Sequence, residues 1–131
     1  MNNKIISSLI FDGNAEYAMD YYTSLFEDLE VKNIARYKYG EAGREGSMKH
    51  AILVLKGQEF LCIDRSVKND FTFTPAASLY INCDSKYEIE MLFRELSKNG
   101  RVFIDLTSYG FSDLYGWVED KFGVSWQLNL D

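Results

Sequence analysis

The sequence predicts an α+β fold made of two copies of a βαβββ module. Residues 1–64 and 77–130 each read as a strand, a helix and then several strands. Both halves end in a strand that alternates in polarity, at 60–64 and 124–130. With 131 residues, 47% of them apolar, the chain can bury the core of one globular domain. We therefore expect a single domain with modules at about 1–64 and 77–131 and a connector at 65–76.

The first module begins with a strand predicted at 4–11, followed by the turn Asp12-Gly13-Asn14. Asn14 can cap a helix through its side-chain oxygen, and apolar residues recur at helical spacing from Ala15 to Phe26. Strands are predicted at 31–38, 49–55 and 59–64, with a loop containing three glycines at 39–46.

The second module begins with a strand predicted at 78–83. Its helix starts at a capping box, Ser85 to Glu88, and stops at Asn99-Gly100. Strands are predicted at 101–105, 115–119 and 124–130. The order of elements is thus the same in both modules.

Composition restricts the partners. The chain has 14 basic and 20 acidic residues and a formal charge of −6, so it lacks the cationic field that attracts nucleic acid or anionic membranes. No apolar run is long enough to span a bilayer, and residues 1–8 lack a signal-peptide apolar region, which predicts a cytoplasmic protein. Cys62 and Cys83 lie in strand-like segments without CxxC spacing, as expected of buried reduced thiols.

Strand alternation predicts which side chains lie on the sheet face away from the helices. We expect Ile10, Leu61 and Ile63 to face the first helix, and Leu79, Ile81, Trp126 and Leu128 to face the second. The opposite faces then hold a mixed polar and aromatic set: Ser7, Phe11, Phe60, Cys62, Asp64, Ser78, Tyr80 and Gln127. Such a face is either solvated or a cavity wall, and its aromatic residues favour a cavity.

Five segments together resemble the vicinal oxygen chelate superfamily, and within it the PhnB-like branch, often labelled demethylubiquinone methyltransferase-like. They are FDGNAE at 11–16 followed by AMDYY at 18–22, MKHA at 48–51, GQEF at 57–60, FTFTPA at 71–76 and YGWVEDKFGVSWQ at 115–127. The resemblance covers nearly the whole chain. It implies that the two modules form a cupped mixed sheet with helices on its outer face, a ligand site in the cup, and a homodimer.

Metal-using members of the superfamily carry histidine or glutamate ligands on the first, fourth, fifth and eighth strands. By resemblance those positions hold Ser7, Cys62, Ser78 and Gln127 here, with Asp64 as the alternative on the fourth strand. Serine and glutamine are weak ligands for zinc, nickel or iron, so no metal is expected. No glycine-rich loop joins a strand to a helix, so neither a nucleotide-like cofactor nor a methyltransferase is favoured.

Three residues carry alternative interpretations. His50, the single histidine, is either a general base or a strand residue with a satisfied hydrogen bond, and the second is favoured. Asp64 is either a general base or ligand anchor, or a solvated residue at a strand end. Cys62 is a nucleophile or, as we favour, a small buried filler.

We therefore expect the protein to bind a small, partly aromatic or apolar molecule in the cup without a metal. Asp64, Tyr80, Gln127 and His50 would supply polar contacts, and Phe11, Phe60 and Trp117 apolar ones. One alternative is a lyase, isomerase or dioxygenase whose metal is bound at Cys62 or Asp64 with Gln127 and water. Another is a drug-sequestering protein, as in the bleomycin-resistance relatives, which hold a cationic drug. The sequence does not identify the ligand.

Overall fold

The chain divides into two compact units, Met1–Asp70 and Phe71–Asp131, in the computed structural model, which describes residues 5–65 and 70–131. The division falls within the predicted connector. Each unit holds one helix and one four-stranded mixed sheet. The predicted α+β class and the repeated module are therefore confirmed.

The first unit contains strands β1 (Ser7–Phe11), β2 (Glu30–Arg36), β3 (Met48–Leu55) and β4 (Gln58–Asp64), with helix α1 (Ala15–Leu25) after β1. The strand order is β1-β4-β3-β2. β1 runs parallel to β4, while β3 is antiparallel to both of its neighbours. The parallel pair requires a long crossover, and α1 with the next two strands provides it.

The second unit repeats this arrangement with β5 (Leu79–Asn82), α2 (Lys86–Ser97), β6 (Arg101–Thr107), β7 (Leu114–Glu119) and β8 (Ser125–Leu130). Its strand order is β5-β8-β7-β6, with β5 parallel to β8 and the other pairs antiparallel. Most predicted boundaries differ from the observed ones by one or two residues, as expected where strand ends fray.

The two helices begin differently. In α2, Ser85 Oγ accepts a hydrogen bond from Glu88 N at 3.0 Å, which confirms the predicted serine cap. Glu88 Oε1 reaches back to Asp84 N at 2.7 Å, one residue before the serine. In α1, Asn14 occupies the N-cap position but its side chain makes no cap hydrogen bond, so the predicted asparagine cap is wrong.

Asp64, at the end of β4, caps the start of α1 in place of Asn14. Its Oδ1 accepts a hydrogen bond from Gly13 N at 2.6 Å, and its Oδ2 accepts one from Ala15 N at 3.3 Å. The first turn of a helix has backbone N–H groups without helical partners, and a carboxylate satisfies them well. A local sequence pattern could not show this, because Asp64 lies about fifty residues after the helix start.

The predicted facing of the second sheet is confirmed. Ile81, Trp126 and Leu128 are buried, the half-buried Leu79 pairs with Trp126, and the strand register places all four on one face with the buried Val118 of β7. A Cβ atom at Gly116, on the same face, would lie 2.7 Å from Phe93 Cε2 of α2. This face therefore packs against the helix.

The predicted facing of the first sheet is wrong. Phe60 and Cys62 are buried, whereas Leu61 and Ile63, which were expected under the helix, are only half-buried. Asp64 shares a face with Phe60 and Cys62, and its carboxylate binds the start of α1. The helix thus covers the Phe60 and Cys62 face.

Phe11 also lies on the opposite sheet face from the one predicted. It pairs with Asp64 in the β1–β4 register and is buried, while Ile10 on the other face is half-buried. The reason is physical: β4 carries apolar residues on both faces, so its period-two pattern does not distinguish the helix side from the opposite side.

Among residues 5–65 and 70–131, neither helix is long and apolar enough to cross a bilayer.

Candidate functional site

The face of the second sheet opposite α2, called here the polar face, is the strongest candidate site. Its members alternate along β5, β7 and β8 with the residues that face α2; they are Tyr80, Asn82, Tyr115, Trp117, Glu119, Ser125, Gln127 and Asn129. Gln127 pairs with Tyr80 on one side and with Trp117 on the other. An amide thus lies between two aromatic residues at the centre of the sheet.

Hydrogen bonds fix several side chains of the polar face. The Tyr115 hydroxyl donates to Gln127 Oε1 at 2.5 Å. The Trp117 indole Nε1 donates to Ser125 Oγ at 2.7 Å, and Ser125 Oγ lies 2.6 Å from Ser78 Oγ. Gln127 Nε2 has no hydrogen-bond partner within 5–65 and 70–131, so this amide presents a free donor.

An aromatic cluster surrounds Tyr115. Its ring centroid lies 5.3 Å from that of Phe111, 6.1 Å from that of Tyr109 and 6.4 Å from that of Tyr80. Tyr109 and Phe111 come from the loop between β6 and β7, and their rings stack at 6.3 Å. Burial raises the pKa of Tyr115, and the Tyr80 and Tyr109 phenols add to the rise, so Tyr115 stays a neutral hydrogen-bond donor.

The aromatic surface continues on the other side of Gln127. The Phe103 and Trp117 ring centroids are 5.2 Å apart, and the Arg101 guanidinium lies 5.0 Å from the Phe103 centroid. The place of Trp117 at the mouth of a cup stays a prediction, and its side chain belongs to this aromatic surface.

Asn129 lies at the end of the polar face near the β6–β7 loop and carries an unsatisfied acceptor. Its Nδ2 donates to Asn82 Oδ1 at 3.0 Å and to Asp131 Oδ1 at 3.2 Å. The side chain is buried, at 5% exposure, and Oδ1 has no partner among the residues that the structure describes. A buried acceptor of this kind usually has a partner, so it needs a functional or structural explanation.

The candidate residues of the first module lie elsewhere. Phe11, Phe60 and Cys62 are core residues beneath α1. Burial raises the pKa of the Cys62 thiol to about 12, and the Asp64 charge adds to the rise, so this thiol is neither a nucleophile nor a ready metal ligand at neutral pH. The ligand-binding role predicted for these three residues stays a prediction, and their burial counts against it.

Asp64 and His50 belong to different surroundings. Asp64, beyond capping α1, lines a cleft of about 730 Å³ together with Tyr17, Tyr37 and Arg44. His50 is exposed on β3 and pairs with Ile63 in the register, which places it on the sheet face away from α1. The two candidate general bases therefore lie on opposite faces of the first sheet.

The four positions that hold metal ligands in metal-using relatives do not form a suitable donor set. Ser7 is an exposed hydroxyl and Cys62 a buried neutral thiol. Ser78 contacts Ser125, and the Gln127 carbonyl oxygen already accepts from Tyr115. Within 5–65 and 70–131, no three histidine, cysteine, aspartate or glutamate side chains are grouped so as to hold a metal ion.

Sequence reasoning missed Tyr115 and Asp131. Tyr115 alternates with Trp117 on β7, so the period-two rule applied to this strand would have placed it on the polar face. The interaction between Asn129 and Asp131 has no comparable sequence signal, because both residues read as ordinary strand-end polar residues.

Comparisons with known proteins agree with this fold. The family model described as 3-demethylubiquinone-9 3-methyltransferase matches residues 3–129. A search of curated proteins found no match. Among solved structures, a PhnB protein from Bacillus cereus is 49% identical to the chain, with a TM-score of 0.91, over 98% of this chain and 100% of that one.

Two further structures are similar. A protein from Pseudomonas aeruginosa is 26% identical, with a TM-score of 0.85, over 99% of this chain and 98% of that one. A glyoxylase/bleomycin resistance protein/dioxygenase domain from a Frankia species is 15% identical, with a TM-score of 0.70, over 99% and 92% of the two chains, and shows the shared fold alone. The family match over nearly the whole chain and the 49% identity to the Bacillus protein show that this chain belongs to the PhnB-like family, whose model is described as 3-demethylubiquinone-9 3-methyltransferase.

Proposed function

We propose that the protein binds a small, partly aromatic molecule on the polar face of its second sheet. The observation that carries this proposal is the position of Gln127 between Tyr80 and Trp117. Small-molecule sites typically combine an aromatic surface with a few oriented polar groups. Here the Gln127 amide is oriented by Tyr115, and its free Nε2 can donate to a ligand carbonyl or hydroxyl oxygen.

Binding without catalysis fits the chemistry of this face best. Apart from Glu119, which pairs with Ser125 at the end of β7, its side chains are neutral, and none is a histidine or cysteine. The Tyr115 phenol is protonated at neutral pH already at the ordinary tyrosine pKa of about 10, and burial raises its pKa further. Such a face can hold and orient a ligand, and it has no histidine, the side chain whose ordinary pKa lies near 7.

We propose that binding requires no resident metal, because Ser7, Cys62, Ser78 and Gln127 are a poor donor set. Elemental analysis of protein purified without chelators tests this point. We expect far less than one equivalent of zinc, iron, nickel or manganese. A stoichiometric metal lost in Gln127→Ala would instead support a metal-dependent lyase, isomerase or dioxygenase.

The two tryptophans provide a direct test of the binding face. Trp117 Nε1–H lies on the polar face bonded to Ser125, whereas Trp126 Nε1–H lies on the helix side and donates to Asp120 Oδ2 at 2.9 Å. We expect 2-phenylethanol, 2-phenylethylamine or phenylacetate to shift the Trp117 indole resonance in ¹H–¹⁵N spectra and to leave that of Trp126 in place.

Two glutamine variants serve as a matched pair. Gln127→Ala should weaken the binding of these probes, whereas Gln58→Ala, which removes an exposed glutamine at the start of β4, should not. The proposal fails if none of the three probes shifts the Trp117 resonance, or if the Trp126 resonance alone responds.

We also propose that the protein is a homodimer. Phe71 is 60% exposed, and burial of its ring against a second copy would remove this apolar surface from water. Sedimentation equilibrium at micromolar concentration measures the mass, and a value near the 15.2 kDa of one chain would exclude the dimer. We expect Phe71→Ser to weaken association, with Tyr87→Ser, another exposed aromatic residue, as its control.

A further inference from the structure

We propose that the loop end of the polar face is a subsite for an organic ammonium group. This inference rests on the proposed function, because the aromatic body of the same ligand would lie on the polar face. The subsite is formed by the β6–β7 loop, the end of β8 and the aromatic cluster around Tyr115.

A small pocket marks the place. It has a volume of about 290 Å³ and is lined by Ser108, Gly110, Phe111, Ser112, Asp113 and Asp131. Two of its side chains are carboxylates, and none of these described lining residues is basic. The pocket is therefore suited to a positive charge and unsuited to a phosphate or carboxylate.

Asn129 does not line this pocket but donates a hydrogen bond to Asp131, which does, and it adds to the preference for a positively charged ligand. The orientation of its amide is fixed. A carboxylate oxygen only accepts, so the Asn129 atom next to Asp131 Oδ1 must be the donor nitrogen Nδ2. That orientation leaves Asn129 Oδ1 buried and without a partner in the described part of the chain. Because Asn129 Nδ2 already donates to Asn82 Oδ1 and Asp131 Oδ1, the Asn129 side chain has an acceptor left over and no donor.

An ammonium group is the ligand chemistry that matches such a site. It carries three donors and no acceptor, so it fits where acceptors accumulate. The rings of Tyr109, Phe111 and Tyr115, whose centroids lie within 6.3 Å of one another, supply the aromatic faces that attract an organic cation.

The charge of this unit and the small number of possible metal ligands favour an organic cation over an anion or a calcium ion. Residues 71–131 contain nine acidic and five basic side chains, which disfavours an anion. Calcium requires about six to eight oxygen ligands, and no three acidic, histidine or cysteine side chains are grouped for a metal in the described residues. Two carboxylates beside stacked aromatic rings fit an amine better.

The test compares three probes of similar shape. The intact protein is titrated at neutral pH and low salt with 2-phenylethylamine, 2-phenylethanol and phenylacetate, and the Trp117 indole resonance is followed. We expect the amine to bind about five- to tenfold more tightly than the alcohol, a difference of roughly 1–1.4 kcal/mol. Phenylacetate should bind most weakly, and added salt should reduce the preference for the amine.

Variants of the two pocket carboxylates test whether the preference for the amine arises in this pocket. Asp131→Asn and Asp113→Asn should each reduce amine binding about threefold and leave alcohol binding unchanged. Glu90→Gln removes one exposed charge on α2 and should change neither. These substitutions keep the side-chain volume, and equal thermal midpoints of all variants show that the fold is intact.

The outcomes separate the two proposals. Equal affinities for the amine and the alcohol would overturn the ammonium subsite and leave the proposed small-molecule function standing. Failure of all three probes to bind would overturn both. In the same ¹H–¹⁵N spectra, calcium chloride that reproduces the amine-induced shifts of the Asp113 and Asp131 backbone amides would overturn the subsite in favour of a metal site.

Discussion

Asp64 and Gly13 are 51 residues apart in the sequence, and the backbone N–H of Gly13 donates to Asp64 Oδ1 at 2.6 Å. The bond joins the end of β4 to the turn that starts α1, and Asp64 Oδ2 accepts a second bond from Ala15 N. One carboxylate thus satisfies two donors at a helix start and fixes the helix to the sheet.

The removal of this cap should destabilise the protein. We expect Asp64→Ala to lower the free energy of unfolding by about 0.5–2 kcal/mol, because two backbone donors lose their acceptor. Asn14→Ala is the matched control, because its side chain makes no cap bond, and it should cost less than about 0.5 kcal/mol. Urea unfolding measures both. A larger loss from Asn14→Ala would assign the cap to the asparagine.

The fold could be predicted where the relevant signal is local. Strand alternation and helical spacing gave the repeated module, and the Ser85 cap lies within one turn of its helix. The Asp64 cap and the facing of the first sheet depend on tertiary contacts instead. β4 is apolar on both faces, so only the helix packed over Phe60 and Cys62 determines which face is core.

The candidate site, like the fold, could be predicted only where the sequence signal is local. Tyr80 and Gln127 could be placed on one face because β5 and β8 alternate clearly between apolar and polar residues. The partners of their neighbours could not be predicted, because the Asn129 bonds to Asn82 and Asp131 join two strand ends. Hydrogen-bond geometry between side chains has no sequence period.

Leu128 and Gln127 are adjacent on β8 and should respond oppositely to truncation. Leu128 is 0% exposed on the helix side, so we expect Leu128→Ala to cost about 2–5 kcal/mol of stability. Gln127→Ala leaves the hydroxyl of the buried Tyr115 without its acceptor and should cost about 1–3 kcal/mol while weakening ligand binding. Unfolding and probe titration of both variants measure this. A stable Leu128→Ala and an unfolded Gln127→Ala would mean that the facing of β8 is reversed.

Gly100 and Gly116 should differ in their tolerance of a methyl group. A Cβ atom at Gly100 would lie 2.1 Å from the Glu119 carbonyl oxygen, which is main chain in β7 and cannot move without disturbing the strand. A Cβ atom at Gly116 would meet the Phe93 ring at 2.7 Å, and a side chain can rotate. We expect Gly100→Ala to cost about 3 kcal/mol and Gly116→Ala about 1 kcal/mol. Thermal unfolding of the two variants would contradict this if Gly116→Ala were the less stable protein.

Cys62 should make stability depend on pH in the alkaline range. Its pKa in the folded protein is about 12, because burial disfavours the thiolate and the Asp64 charge adds to this effect. The pKa of an unfolded cysteine is about 8.5. The folded state therefore keeps the thiol proton that the unfolded state loses, and the stabilisation is complete below about pH 8.5 and declines as the pH rises toward 12.

Cys62→Ala isolates this contribution from the other groups that titrate at high pH. We expect wild type to lose more unfolding free energy between about pH 7 and about pH 10 than Cys62→Ala does, even if the variant is less stable at both values. Urea unfolding at the two pH values gives the slopes. Parallel slopes would show that the Cys62 thiol ionises as readily in the folded protein as in the unfolded chain, and rapid labelling of folded Cys62 by a thiol reagent at neutral pH would contradict its burial.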